Sequence, residues 1–395
     1  MNSAELFRER VKIGKETIRK EKRPSRVLVF GTMVSWFIFD QGYKLSEAYS
    51  DDFSVLEKIS DQAQARYNFD GYTFPVIPNS QPLQKTLGVN NYIINDKSES
   101  YNRIDVDYMD FEDYDVLIED PAKFFWSKYA KRKFPILESQ DGQQIFMKSL
   151  HDFQNFFQYN QNVERNLIEK HGVPMNSSPA AMGLGGYWPL HEVLMHGLRG
   201  IKGVSTDMRK DPVKVKAACD RYQEVILEPM LQQYKATASK GTDENCYFDI
   251  KTGMLSYSVL NPKQFEMVYW PSFKRLIDVA VEMDKLVYIF SEAGTKRLWD
   301  FFREIPKGRI ALYCEMDDIF EMKKALPNVT LMGGMPLELL GNGTPEQCVD
   351  YAKKLVDELG YDGGYIFGTN KQGQFRKDAK RENLEAVIKF VQEYK

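Results

Sequence analysis

Cysteine is scarce in this chain. Four residues (Cys219, Cys246, Cys314 and Cys348) lie far apart among 395, with no CxxC pair. That spacing argues against a disulfide framework and suits reduced thiols in a cytoplasmic protein. Long apolar runs are missing too: none reaches ten residues, too short to cross a bilayer, so no membrane partner is expected. The first 25 residues are charged and helical in pattern, without the apolar centre of a signal peptide. Neither sign of charge dominates, since 53 Lys and Arg face 56 Asp and Glu for a formal net of −3. With no basic patch or RNA-recognition motif, nucleic acid is not an expected partner either. Repeats and low-complexity tracts are absent.

What the chain does have is a rhythm. Four short apolar runs near the C-terminus, at 286–290, 310–313, 329–332 and 365–367, each break into a polar or glycine-rich segment. Helical stretches at 295–305, 319–326, 344–359 and 381–394 separate and follow them. Continuous apolar strands alternating with helices predict a parallel sheet buried on both faces. Walking back through the chain completes a (β/α)8 TIM barrel, with further strands at 26–30, 71–76, 174–182 and 246–250. Residues 1–25 form an N-terminal helical extension, and 84–150 an insertion after the second strand that supplies a lid or wall. The whole of 1–395 reads as one elaborated barrel.

Such barrels place their chemistry at the C-terminal ends of the strands, which selects the candidates. Glu292 follows the 286–290 run in an aromatic neighbourhood, as a general acid, a hard metal ligand or a helix cap. Glu315, Asp317 and Asp318 follow the next run, and Glu292 with Glu315 and Asp317 could hold a divalent metal. Capping helix 319–326 is the structural alternative for Asp317 or Asp318. Asp249 ends the 246–250 run, and His191 lies just past the 174–182 run as an acid/base candidate. Trp36, Phe37, Tyr72, Tyr187 and Trp188 are candidates to line a pocket, with core packing as the alternative, and Asn370 to donate to a substrate oxygen. Gly183-Leu-Gly-Gly186 lacks the Lys-Ser/Thr of a phosphate loop and reads as a tight loop where a ligand can approach the backbone.

Several motifs in order carry a resemblance. The segment Pro262-Lys-Gln-Phe-Glu-Met-Val-Tyr-Trp-Pro-Ser-Phe-Lys-Arg275 fits a P-x-x-F-x-x-x-x-x-P-x-x-K-R helix. Gly343-Thr-Pro-Glu-Gln347 fits a G-T-P-E-E helix start, Gly363-Gly-Tyr-Ile-Phe367 a final strand, and Leu198-Arg-Gly200 an L-R-G turn. Together they resemble the uroporphyrinogen decarboxylase superfamily, which includes the haem-pathway decarboxylase and methyltransferases working with corrinoid or coenzyme M. The departures matter as much. Where zinc-dependent members carry His-x-Cys, this chain has Phe290-Ser291-Glu292, and residues 368–372 hold no later cysteine. A thiolate zinc site is therefore not inherited. The decarboxylase's arginine signature is also missing from residues 31–39, so a porphyrinogen with eight carboxylates finds little to pair with.

The resemblance implies methyl or small alkyl transfer from a methoxylated or similar small substrate to a corrinoid protein, itself a partner because no corrinoid-binding motif is present. Glu292 with Asp317 or Asp318 would protonate or polarise the leaving heteroatom. Decarboxylation of a small carboxylic acid, or of a porphyrinogen-like one, is the alternative; its carboxylate anchor would come from Arg297, Lys296 or Arg199. A non-catalytic ligand-binding barrel is the third reading. A homodimer is compatible with the sequence but not specified by it.

Overall fold

The computed structural model describes residues 2–89 and 91–394, the side chain of Cys314 excepted. Seven parallel strands form one curled sheet in the order β2-β1-β9-β8-β7-β6-β5. They are β1 Leu28–Gly31, β2 Gly71–Tyr72, β5 Ile250–Met254, β6 Val287–Ser291, β7 Ile310–Cys314, β8 Thr330–Met335 and β9 Tyr365–Thr369. A separate antiparallel hairpin pairs β3 Tyr92–Asn95 with β4 Ser100–Arg103. The fold is an α/β barrel of the TIM type, and the apolar runs are two-faced as that fold requires. Leu28, Phe30, Tyr288, Phe290, Ala311, Tyr313, Met332 and Ile366 pack together in the interior. Their neighbours Val29, Val287, Ile289, Leu312 and Leu331 face the outer helices. Helix Pro345–Leu359 shows the matching pattern, burying Cys348, Ala352, Leu355, Val356 and Leu359 along one stripe. Its N-terminus is fixed by Thr344, whose hydroxyl accepts from the Gln347 N–H in a capping box, with Pro345 in the first turn.

Expectation and structure part at the second, third and fourth staves. The predicted strand 174–182 is only a rudiment: Met175 bridges Cys246, and residues 179–184 coil into a 3-10 helix. Pro174 and Pro179 have no N–H to give a ladder. The barrel closes here through a side chain instead. Asn176 Nδ2 donates to the carbonyls of Tyr72 and Thr73, while its own carbonyl accepts from Phe248 N at 3.2 Å. The predicted strand 246–250 also shifts, pairing with β6 only from Ile250 onward. The second strand shrinks from 71–76 to two residues, cut short before Pro75.

Helix Ser3–Arg19 plugs the N-terminal end of the barrel, inserting Ile13 and Ile18 into the interior cluster. Gly14 permits this approach, because a Cβ there would lie 2.4 Å from the Tyr247 ring. The excursion after β2 holds the hairpin and a set of short helices from Phe111 to Glu138, and helix Gly142–His171 begins inside the range read as insertion. Tyr114 and Arg199 both bond Asp207, tying the short helices to helix Gly200–Lys210. Among the described residues, no helix is long and apolar enough to cross a membrane. Cys219, Cys246 and Cys348 are buried and free.

Candidate functional site

Parallel register carries two carboxylates to the same place. Ser291 pairs with Cys314 at the ends of β6 and β7, so Glu292 and Glu315 emerge side by side at the barrel mouth. The Glu315 N–H donates to Ser291 O at 3.3 Å, and its Oε1 accepts the Gln372 N–H at 2.9 Å. Glu315 is half-buried, and loss of water raises its pKa to about 7, with the Glu292 charge adding to the rise against the Gln372 bond. Glu292 keeps an exposed face, yet the crowded concave mouth also raises its pKa; Glu192 adds to this while His196 and Arg103 oppose it. Glu315 therefore keeps its proton up to about pH 7, beside a second carboxylate whose pKa is also raised.

The other acids have different work. Asp317 accepts the Thr295 N–H at 2.6 Å, the Thr295 hydroxyl and the Lys296 N–H, which starts the turn Lys296–Leu298. This turn and helix Trp299–Arg303 replace the single helix expected over 295–305. Asp318 caps helix Ile319–Ala325, accepting from Phe320 N at 2.8 Å and Glu321 N at 3.0 Å. Asp318 thus takes the capping role weighed for this pair, whereas Asp317 instead holds the backbone that follows β6. Among the described residues, no three His, Cys, Asp or Glu side chains are grouped to hold a metal ion. Asp249 lies at the wrong end. Because its strand starts later than expected, it precedes β5, accepting from Asp243 N and Leu286 N (each 2.8 Å) at the barrel floor.

His191 is wholly buried, with Nδ1 2.8 Å from Ser256 Oγ, and burial pushes its pKa down to about 4. Its ring is therefore uncharged at neutral pH and is held away from the Glu292–Glu315 pair by Ser256 at the loop after β5. Its neighbour Glu192, unremarked in the sequence, accepts from Leu255 N, Ser256 N and the Tyr269 hydroxyl, and so fixes the loop after β5. Trp36, Phe37, Tyr72 and Tyr187 are core: each is under 5% exposed, and Trp36, Tyr72 and Tyr187 bond Ala379 O, Gln64 Oε1 and Ser272 O. Strand-end aromatics are as useful under the surrounding helices as above the barrel, and sequence position does not separate the two. Asn370 accepts from Leu337 N at 3.0 Å, a local cap. Arg199, Arg297 and Lys296 are likewise committed, to Asp207, to the carbonyls of Tyr257 and Leu260, and to Glu321.

The space at the mouth is divided by Phe74. On one side is a cavity of about 650 Å³ between helix Gly142–His171, residues 175–188 and β5. Trp188, the one proposed pocket aromatic that lines it, reaches over Gly253, where a Cβ would lie 3.2 Å from its ring. On the other side a cavity of about 340 Å³ lies under the hairpin, between Tyr49, Tyr101 and Gln372, the Glu315 partner. Tyr101 stacks on Tyr49 and Tyr92 at 4.8 and 4.6 Å, and Arg103 bonds His196, which holds the hairpin against the mouth.

Sequence reasoning missed Lys251. It is paired with Tyr288 in the register, so it points into the barrel, where it lines the larger cavity. Its Nζ donates to Thr73 O at 2.8 Å and sits 4.0 Å from the Phe74 ring centroid. Burial pulls its pKa down to about 8, partly offset by Glu164. The signal was present: a lone lysine inside the run Ile-Lys-Thr-Gly-Met, on a strand with no solvated face.

A sequence model described as uroporphyrinogen decarboxylase (URO-D) matches residues 167–394, more than half of the chain. No curated protein matches significantly. Among solved structures, a methyltransferase from Methanosarcina mazei superposes with a TM-score of 0.55 at 12% identity, covering 96% of this chain and 97% of that one. At that identity the likeness concerns the fold.

Proposed function

This chain belongs to the uroporphyrinogen decarboxylase family, and from that premise we propose that it transfers a methyl or small alkyl group from a small aromatic or heteroatom-bearing donor. The observation that carries the reading is the Glu292–Glu315 pair at adjacent strand ends, with Glu315 holding its proton to about pH 7. Breaking a carbon–heteroatom bond leaves negative charge on the heteroatom. A carboxylic acid beside it lowers the barrier by giving its proton as that charge develops. Glu315 is the donor in this scheme. The Glu292 carboxylate beside it, when charged, helps keep the proton on Glu315. A corrinoid carried by a partner protein would accept the alkyl group. The family's thiolate zinc ligands have no counterpart at Phe290–Glu292, so activation falls to the acids.

Glu315→Gln tests the assignment. Turnover is expected to fall by about 10²–10⁴-fold. The wild-type rate should decline as pH rises through about 7, and this limb should vanish in the variant. A variant with full activity and an unchanged pH profile sinks the reading. Decarboxylation of a small acid is the second reading, favoured by the cation at Lys251. There Glu315 would protonate the carbanion left by carbon dioxide, and release of carbon dioxide without alkyl transfer would select it.

A further inference from the structure

The larger cavity contains a charge with no protein partner suited to it. An ammonium has three N–H donors, and Lys251 spends one on Thr73 O. No ion pair joins Lys251 to any carboxylate among the described residues; Glu164 lines the same cavity without reaching it. The cavity it lines carries flat apolar walls from Phe74, Phe156, Phe157, Trp188 and Phe290, alongside polar Asn160, Gln161, Glu164 and Thr252. A half-buried cation held by one carbonyl, with only the Phe74 ring at 4.0 Å and the Tyr288 ring at 6.0 Å beside it, is costly to keep, and such groups collect where a ligand uses them.

We propose that this cavity binds a flat aromatic monocarboxylate, with the carboxylate on Lys251 Nζ and the ring against Trp188, Phe74 and Phe290. One cation matches one negative charge. Glu164 on the same cavity wall disfavours a second, which excludes dicarboxylates and phosphates. The inference rests on the group-transfer reading and names the substrate class for the same mouth. It also bears on the reaction. Under the group-transfer reading the anchored carboxylate is a handle that orients the ring, and the transferred group sits elsewhere on it.

Benzoate, benzylamine and benzyl alcohol differ in charge at nearly constant shape. Isothermal titration of the full chain with each at pH 6.5, where Lys251 is protonated, reads the preference directly. Benzoate should bind about tenfold or more tighter than the other two, and Lys251→Met should remove that preference while the melting curve shows a folded protein. Equal binding of the three probes, no binding of any, or a preference kept in Lys251→Met overturns the proposal. Should the Met variant not fold, Glu164→Gln decides: benzoate is expected to bind tighter, and unchanged affinity overturns it. Benzoate has no transferable methyl group, so its binding succeeds or fails independently of alkyl transfer.

Discussion

Lys251 and Glu315 are charges that burial opposes in different pH windows. The folded-state pKa of Lys251 is about 8, below its ordinary 10.5. Between those values the unfolded chain binds more protons, so stability rises with pH. Lys251→Met should therefore raise the melting temperature below pH 8, and the gain should fade by about pH 10.5. For Glu315 the folded value is about 7 against 4.5. Glu315→Gln is expected to leave stability unchanged below pH 4.5 and to raise it above pH 7. Thermal melts at four pH values check both, and a pH-independent difference would contradict the burial argument. Of these two residues, Glu315 was legible from its strand end. Lys251 left a trace, a lone lysine among apolar neighbours, but only the register shows that it turns inward.

Elements explain why some acids at the mouth are catalytic candidates and others are not. Asp318 follows Glu315 by three positions but meets the N-terminus of Ile319–Ala325, where two unpaired N–H groups take its carboxylate. Asp318→Ala should cost about 1 kcal/mol of stability, read by urea titration, and leave turnover within about twofold; a large loss of turnover would return it to the site. The rudimentary third stave makes the opposite demand. Asn176→Ala removes the donors that bridge Tyr72 and Thr73, and about 1–3 kcal/mol of stability should go with them. Its hydrogen exchange should quicken first at β2 and β5, on either side of the seam.

At the scale of the whole molecule, the floor and the mouth are separate constructions. Asp70 at the floor accepts from Arg10 Nε at 3.0 Å, from both Arg26 guanidinium nitrogens and from Val29 N, joining the N-terminal helix to β1 and β2. These cations hold its pKa below the ordinary value despite burial. Asp70→Asn leaves two buried cations poorly paired and should cost about 3–5 kcal/mol at pH 7. Because the folded pKa is depressed, the difference should shrink as pH falls below the usual carboxylate range. Ligand binding at the mouth, a barrel length away, should be unchanged under conditions where the variant is folded.

The sequence by itself determined the parallel barrel, because two-faced apolar strands fit only a sheet covered on both sides. It also determined which carboxylates could stand at the strand ends, since strand polarity puts Glu292 and Glu315 there whatever the packing. Tertiary structure decided which of those groups are free. Whether Asp317 caps a turn, whether Tyr72 faces a pocket or a helix, and whether Asp249 lies at the floor or the mouth depend on register and on distant segments. A shift in where one strand begins moved Asp249 to the opposite end of the barrel and turned Lys251 into its cavity. Such a shift costs little in local propensity and is set by the packing of the whole.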